Sequence, residues 1–130
     1  MKIERLDHVN IRTNNLDAMI AWYARVLGLE AGARPDFGFR GAWIYVGEHP
    51  AVHLVEVTEE CASIAPKIEH FAFSASGYAD FLQGLEDNGV ASNVARVPGL
   101  PLVQVNIVDP DGNHIHVDFS TEETVETPSL

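Results

Sequence analysis

Cysteine occurs once in this 130-residue chain, as Cys61, and lysine and arginine together number only eight. A lone cysteine excludes an intrachain disulfide. With no Cys or His close by in sequence it carries no sign of a catalytic thiol either, and is read as a free surface residue. The eight cations stand against 19 acidic residues, a formal net charge of −11. Nucleic acid and anionic membranes both demand clustered Lys and Arg, so this balance argues against either partner. No apolar run approaches the roughly 18 residues of a membrane span. Lys2, Glu4 and Arg5 put charge where a secretory signal needs its apolar region, and the expected location is the cytoplasm. Glycine-rich phosphate loops and Ser-His-Asp patterns are missing too.

What remains is globular composition, 46% hydrophobic and 21% charged. The length suits one domain with a proper core, over about residues 1–120, and is too short for two ordinary ones, so an internal duplication must share that core. Thr121 to Pro128 is polar and acidic, and residues 121–130 are expected to form a flexible tail.

The most informative stretch is Asp109-Pro110-Asp111-Gly112-Asn113-His114-Ile115-His116-Val117-Asp118-Phe119. A Pro-Asp-Gly turn leads into an alternating strand, with His114, His116 and Asp118 on one face and Ile115, Val117 and Phe119 on the other. His8, His53 and His70 lie in similar alternating contexts. Residues 3–12 read as a strand with Leu6, His8 and Asn10 on one side. Asn14 or Asn15 can cap a helix beginning near Leu16 whose apolar stripe, Leu16, Met19, Ile20, Tyr23 and Leu27, runs to a stop at Gly28. Strands near 29–33, 42–47 and 51–57 follow, the last two joined by a hairpin turn at Gly47-Glu48-His49-Pro50, which makes His49 a turn residue. Between them Arg34 to Gly41 forms an aromatic, glycine-bearing lip.

The second half repeats this order: a strand from Ile68 to Ala75, a helix from Gly77 to Asn88, and strands near 91–96, 102–108 and 114–119. His70 follows His8 by 62 residues, His116 follows His53 by 63, and Gly89 follows Gly28 by 61. Landmarks at a fixed offset are the signature of a repeat. The expected fold is therefore α+β: two tandem β-α-β-β-β modules, about 3–57 and 67–119, forming a curled mixed sheet around a concave site with helices on the outer face.

All four repeat-related histidines fall on the face that the helices leave uncovered. Neutral imidazole suits one divalent ion of the Zn, Ni, Fe, Mn or Co group, and His8, His53, His70 and His116 are the expected ligands. His114 shares a face with His116 and is read as a supporting donor or an incidental binding residue. Asn10, Trp43, Gln104, Asn106 and Arg40 are candidate substrate contacts, from their places on the uncovered face or in the lip.

The duplication, the Asp7-His8-Val9 opening, the Trp22-Tyr23…Leu27-Gly28-Leu29 helix end, Glu69-His70-Phe71-Ala72-Phe73 and Asp109-Pro110-Asp111-Gly112 together resemble the vicinal oxygen chelate superfamily: the glyoxalase, bleomycin-resistance and dioxygenase proteins. The resemblance spans about residues 3–119. It implies a metal held by the first and last strands of each module, places that fall here on His8, His53, His70 and His116. It also implies a small-molecule substrate with vicinal oxygens, lyase, isomerase or dioxygenase chemistry, and a homodimer. The alternative it offers is non-catalytic sequestration of an apolar or cationic ligand, which suits the negative charge. Glyoxalase I-like members usually carry glutamate where His53 and His116 stand, one of them moving the substrate proton. Here that duty falls to His53, His116 or a neighbouring carboxylate, with Asp118 ahead of Glu56. Four neutral ligands would leave the site near +2, favouring an anionic, enediolate-like chelate.

Overall fold

The computed structural model describes residues 1–61 and 63–125. It divides into two compact units, Met1–Ile64 and Ala65–Leu130, and each repeats one plan.

In the first unit, β1 (Val9–Thr13) leads to α1 (Leu16–Leu27), then β2 (Ala31–Gly32), β3 (Gly41–Val46) and β4 (His49–Glu56). The sheet order is β1-β4-β3-β2. The pair β1 and β4 is parallel, with Asn10 opposite His53, and the other pairs are antiparallel. Parallel pairing forces the long crossover that α1 supplies. Helical spacing buries Leu16, Met19, Trp22, Tyr23 and Val26. The sheet meets them with Ala42 and Ile44 of β3 and Val52 and Leu54 of β4, all buried.

Both ends of α1 are set locally. Asn15 stands at the N-cap, yet its side chain makes no cap bond. Instead the buried hydroxyl of Thr13 accepts the Asn15 N–H at 2.9 Å. At the other end Gly28 takes φ 68°, and the N–H groups of Gly28 and Leu29 return to the carbonyls of Ala24 and Tyr23. The helix expected to begin near Leu16 and stop at Gly28 runs from Leu16 to Leu27.

The second unit holds β5 (His70–Ser74), α2 (Tyr78–Asp87), β6 (Asn93–Arg96), β7 (Leu102–Val108), β8 (His114–Ser120) and α3 (Thr121–Val125). Its sheet order, β5-β8-β7-β6, is the first unit's order again, with β5 and β8 parallel. Val103, Val105 and Ile107 of β7, Ile115, Val117 and Phe119 of β8 and Leu85 of α2 form its core. Asp109, 4% exposed, organises the turn into β8. Its Oδ1 accepts the N–H groups of Asp111 and Asn113, and its Oδ2 accepts the Asn113 amide. Gly112, at φ 84°, supplies the left-handed residue this turn needs.

The tandem β-α-β-β-β expectation holds, with corrections at three places. The hairpin turn is Gly47-Glu48 alone; His49 and Pro50 already belong to β4. The first strand begins at Val9, so residues 3–8 precede it. Where a flexible acidic tail was expected from residue 121, the chain turns into α3. Glu123 explains this: its Oε1 accepts the N–H groups of Gly77 at 2.7 Å and Tyr78 at 3.1 Å, capping α2 and tying α3 to it. Residues 126–130 of the expected tail lie outside the described residues. No helix among those described is long and apolar enough to cross a membrane.

Candidate metal centre

Each unit brings its two repeat-related histidines face to face. In the first, His8 lies one residue before β1 and His53 lies on β4, two registers from facing it, since Asn10 is the partner of His53. Their rings stack at 3.9 Å with 9° between planes. Trp43, opposite His53 on β3, covers the other side of that ring at 4.4 Å and 15°. Beyond it Phe37 lies 6.2 Å from Trp43 and 5.7 Å from Phe39, and the Arg34 guanidinium sits over both phenyl rings at 4.8 and 5.2 Å. Trp43 therefore stacks directly on one of the expected histidine ligands.

The hydrogen bonds decide which nitrogens these rings offer. His8 Nδ1 meets Asp7 Oδ2 at 2.8 Å, which leaves Nε2 open. His53 Nε2 meets the Pro50 carbonyl at 3.0 Å. A carbonyl only accepts, so that nitrogen carries the proton and Nδ1 carries the lone pair. Burial, and then the neighbouring His8, push the His53 pKa down, so its ring is neutral at pH 7. The bond from His8 holds the Asp7 carboxyl below its usual range. His49 joins the same carboxylate residue: its Nε2 meets the Asp7 carbonyl at 2.6 Å and stands 3.5 Å from Oδ1. Reading His49 as a turn residue missed this contact, because a hairpin two residues tighter puts it on the strand.

The second unit has the same pair and more. His70 opens β5 and His116 sits on β8, again diagonal across a parallel pair, their rings stacked at 3.9 Å and 15°. Glu69 takes the place of Asp7, and its Oε2 meets His70 Nδ1. Its Oε1 meets His114 Nδ1 at 2.8 Å, so one carboxylate serves two imidazoles. These two bonds hold the Glu69 carboxyl below its usual range, His70 being the larger cause. Asn106, opposite His116 on β7, occupies the place that Trp43 holds in the first unit. Its Oδ1 faces His114 Nε2 at 2.9 Å while its Nδ2 donates to the Asn93 carbonyl. One ring nitrogen from each of His70, His114 and His116 lies within 4.8 Å of the other two.

His116 is 8% exposed, and its Nδ1 has no hydrogen-bond partner among the described residues. Burial lowers its pKa, His70 and His114 adding to the effect. A neutral buried imidazole with an unsatisfied nitrogen costs free energy, on the order of 1–3 kcal/mol, unless something else occupies it. A divalent ion of the borderline class is a fitting occupant, and the carboxylates behind His8, His70 and His114 are the outer partners that metal-bound imidazoles take.

Asn10 is exposed on β1. Gln104 lies opposite Asp118, whose Oδ1 is buried without a partner among the described residues. Arg40 is paired with Glu56 at 2.7 Å and Asp17 at 3.0 Å, which raises its pKa and leaves Glu56 engaged.

A family model described as the Glyoxalase/Bleomycin resistance protein/Dioxygenase superfamily matches residues 5–117. Glyoxylase I 4 of Arabidopsis thaliana is 28% identical over 125 residues, covering 90% of this chain and 71% of the relative. A lactoylglutathione lyase of Salmonella typhimurium is 26% identical over 122 residues, covering 87% and 90%. Among solved structures, a glyoxylase/bleomycin resistance protein/dioxygenase domain from Frankia sp. EAN1pec superposes with a TM-score of 0.73 at 18% identity, over 92% of this chain and 99% of that one. At that identity it speaks for the fold alone.

Proposed function

Because the chain belongs to the Glyoxalase/Bleomycin resistance protein/Dioxygenase superfamily, we propose that it is a divalent-metal-dependent enzyme of the glyoxalase/dioxygenase type, acting on a small substrate with vicinal oxygens. His8, His53, His70 and His116 would hold the ion, drawn from Zn, Ni, Fe, Mn or Co. The observation that carries this reading is the twinned imidazole pair: each unit stacks two rings at 3.9 Å across its parallel strands. The relatives named as lyases favour isomerase or lyase chemistry over ring opening.

When bound, the ion supplies a Lewis acid that polarises paired substrate oxygens. The chain's own residues do the rest. Asp7 and Glu69 fix the tautomer and orientation of His8 and His70. Burial keeps His53 and His116 neutral, and so able to donate a lone pair at pH 7. Four neutral ligands leave the ion's charge uncancelled, which favours an anionic or enediolate-like ligand. The carboxylate of Asp118 shares the His116 face and has an oxygen to spare, so it is the proposed proton acceptor, with His53 and His116 as alternatives. Trp43 offers an apolar flat wall, while Asn10, Gln104, Asn106 and Arg40 would contact polar substrate groups. We place the working form as a cytoplasmic homodimer.

The net charge of −11 and the aromatic group of Phe37, Phe39 and Trp43 support a second reading, capture of an apolar or cationic ligand without chemistry. Elemental analysis separates the two. Protein made in metal-supplemented medium should retain a divalent ion, His70→Ala should lose it, and turnover of the methylglyoxal-glutathione adduct or of a catechol should follow the metal. Metal-free wild-type protein would refute the enzymatic reading.

A further inference from the structure

The two units are not equivalent. Where the second has His114, the repeat offset puts Ala51 in the first; where the first has Trp43, the second has Asn106. We infer that the second unit by itself is a three-histidine metal site, His70, His114 and His116 buttressed by Glu69, able to hold a borderline divalent cation without His8 or His53. This rests on the reading that the histidines bind metal, and it changes which of them are indispensable.

Three independent observations point there. One nitrogen from each ring lies within 4.8 Å of the others, a spread that one ion with bonds near 2.0–2.1 Å closes by small side-chain rotations. The His116 Nδ1, in a residue 8% exposed, has no protein partner among the described residues. Both oxygens of Glu69 are spent on Nδ1 atoms, of His70 and of His114, which directs both Nε2 atoms away from it. In that arrangement the Nε2 of His114 would give up the proton it now donates to the Asn106 oxygen at 2.9 Å and offer its lone pair to the ion. Three imidazoles would leave coordination positions for substrate or water, as catalytic sites require.

The test uses the full chain and Co2+, whose visible absorption reports coordination, with equilibrium dialysis of Zn2+ alongside. The His8→Ala/His53→Ala protein should still bind one Co2+ per chain. Adding His114→Ala to that background should weaken binding by more than the ~10- to 100-fold that loss of an outer partner costs, and Glu69→Gln by about that amount. Circular dichroism checks each fold, and His8→Gln/His53→Gln serves if the alanine pair unfolds. If wild-type protein binds cobalt but the double variant binds none, the inference is overturned and the four-histidine reading stands. If the double variant binds and His114→Ala leaves its affinity within about threefold, the inference is likewise overturned. Wild-type protein that binds neither ion sinks both.

Discussion

Removing the carboxylate of Glu123 tests whether α3 is a structural latch. The perturbation is Glu123→Ala, which strips the acceptor from two N–H groups at the start of α2, Gly77 at 2.7 Å and Tyr78 at 3.1 Å. A hydrogen bond to a charged group contributes about 1.5–3 kcal/mol where water is excluded, but Gly77 and its neighbourhood are exposed, so water recovers much of the loss. Removal of an N-cap acceptor costs about 0.5–2 kcal/mol, and two donors at once put the expectation in its upper half, at about 1–2 kcal/mol. For a chain of this size that is a fall in Tm of about 3–8 °C. The assay is a far-ultraviolet circular dichroism melt of metal-free protein at pH 7.5. Glu123→Gln keeps an uncharged acceptor and should recover about half of the fall. Affinity for Co2+ should stay within about threefold of wild type, because the latch touches none of the histidines. An alanine variant melting within about 1 °C of wild type would refute the latch.

Other outcomes follow from the same geometry. His53 and His116 have folded pKa values depressed below 6.5, so between those values and 6.5 the unfolded chain binds more protons, and stability falls as the pH drops below about 7. Asp7 and Glu69 are depressed from 3.8 and 4.5, so their stabilisation is present above those values and is lost only in stronger acid. Urea midpoints in EDTA at unit pH steps from 8 to 3 should show two successive declines; a flat line from pH 7.5 to 5.5 would contradict the first. Trp43→Ala should raise the His53 pKa, read from its ring-proton chemical shift, since burial is the chief cause of the depression. Ile115→Ala, at a fully buried position on β8, should cost about 2–5 kcal/mol in a denaturant titration.

Much of this was legible in the residues because two periodicities are rigid. A period of 3.6 ended by Gly28 gave α1 its bounds, and alternation put Ile115, Val117 and Phe119 beneath the sheet with the histidines opposite. Parity reports a face and says nothing of register, however. That His53 would lie under Trp43 and diagonal to His8 depends on which residues pair across β1, β4 and β3, a property of the assembled sheet. The Glu69 bridge to His114 and the Asn106 contact were hidden for the same reason, since they join residues 45 and 8 positions apart. One signal was available: an acid stands directly before both first-strand histidines, Asp7-His8 and Glu69-His70. The tail was misread because its composition is that of a solvated segment, while the partner of Glu123 lies 46 residues upstream.

The column formed by Trp43, His53 and His8 has an optical consequence. An indole excited state is quenched by a protonated imidazole in contact with it, and far less by a neutral one. Trp43 lies 4.4 Å from such a ring, while Trp22, the other tryptophan, is packed in the core beside Tyr23. The emission of one residue therefore carries a built-in readout of the charge on His53, without any label, over a steady background from the other.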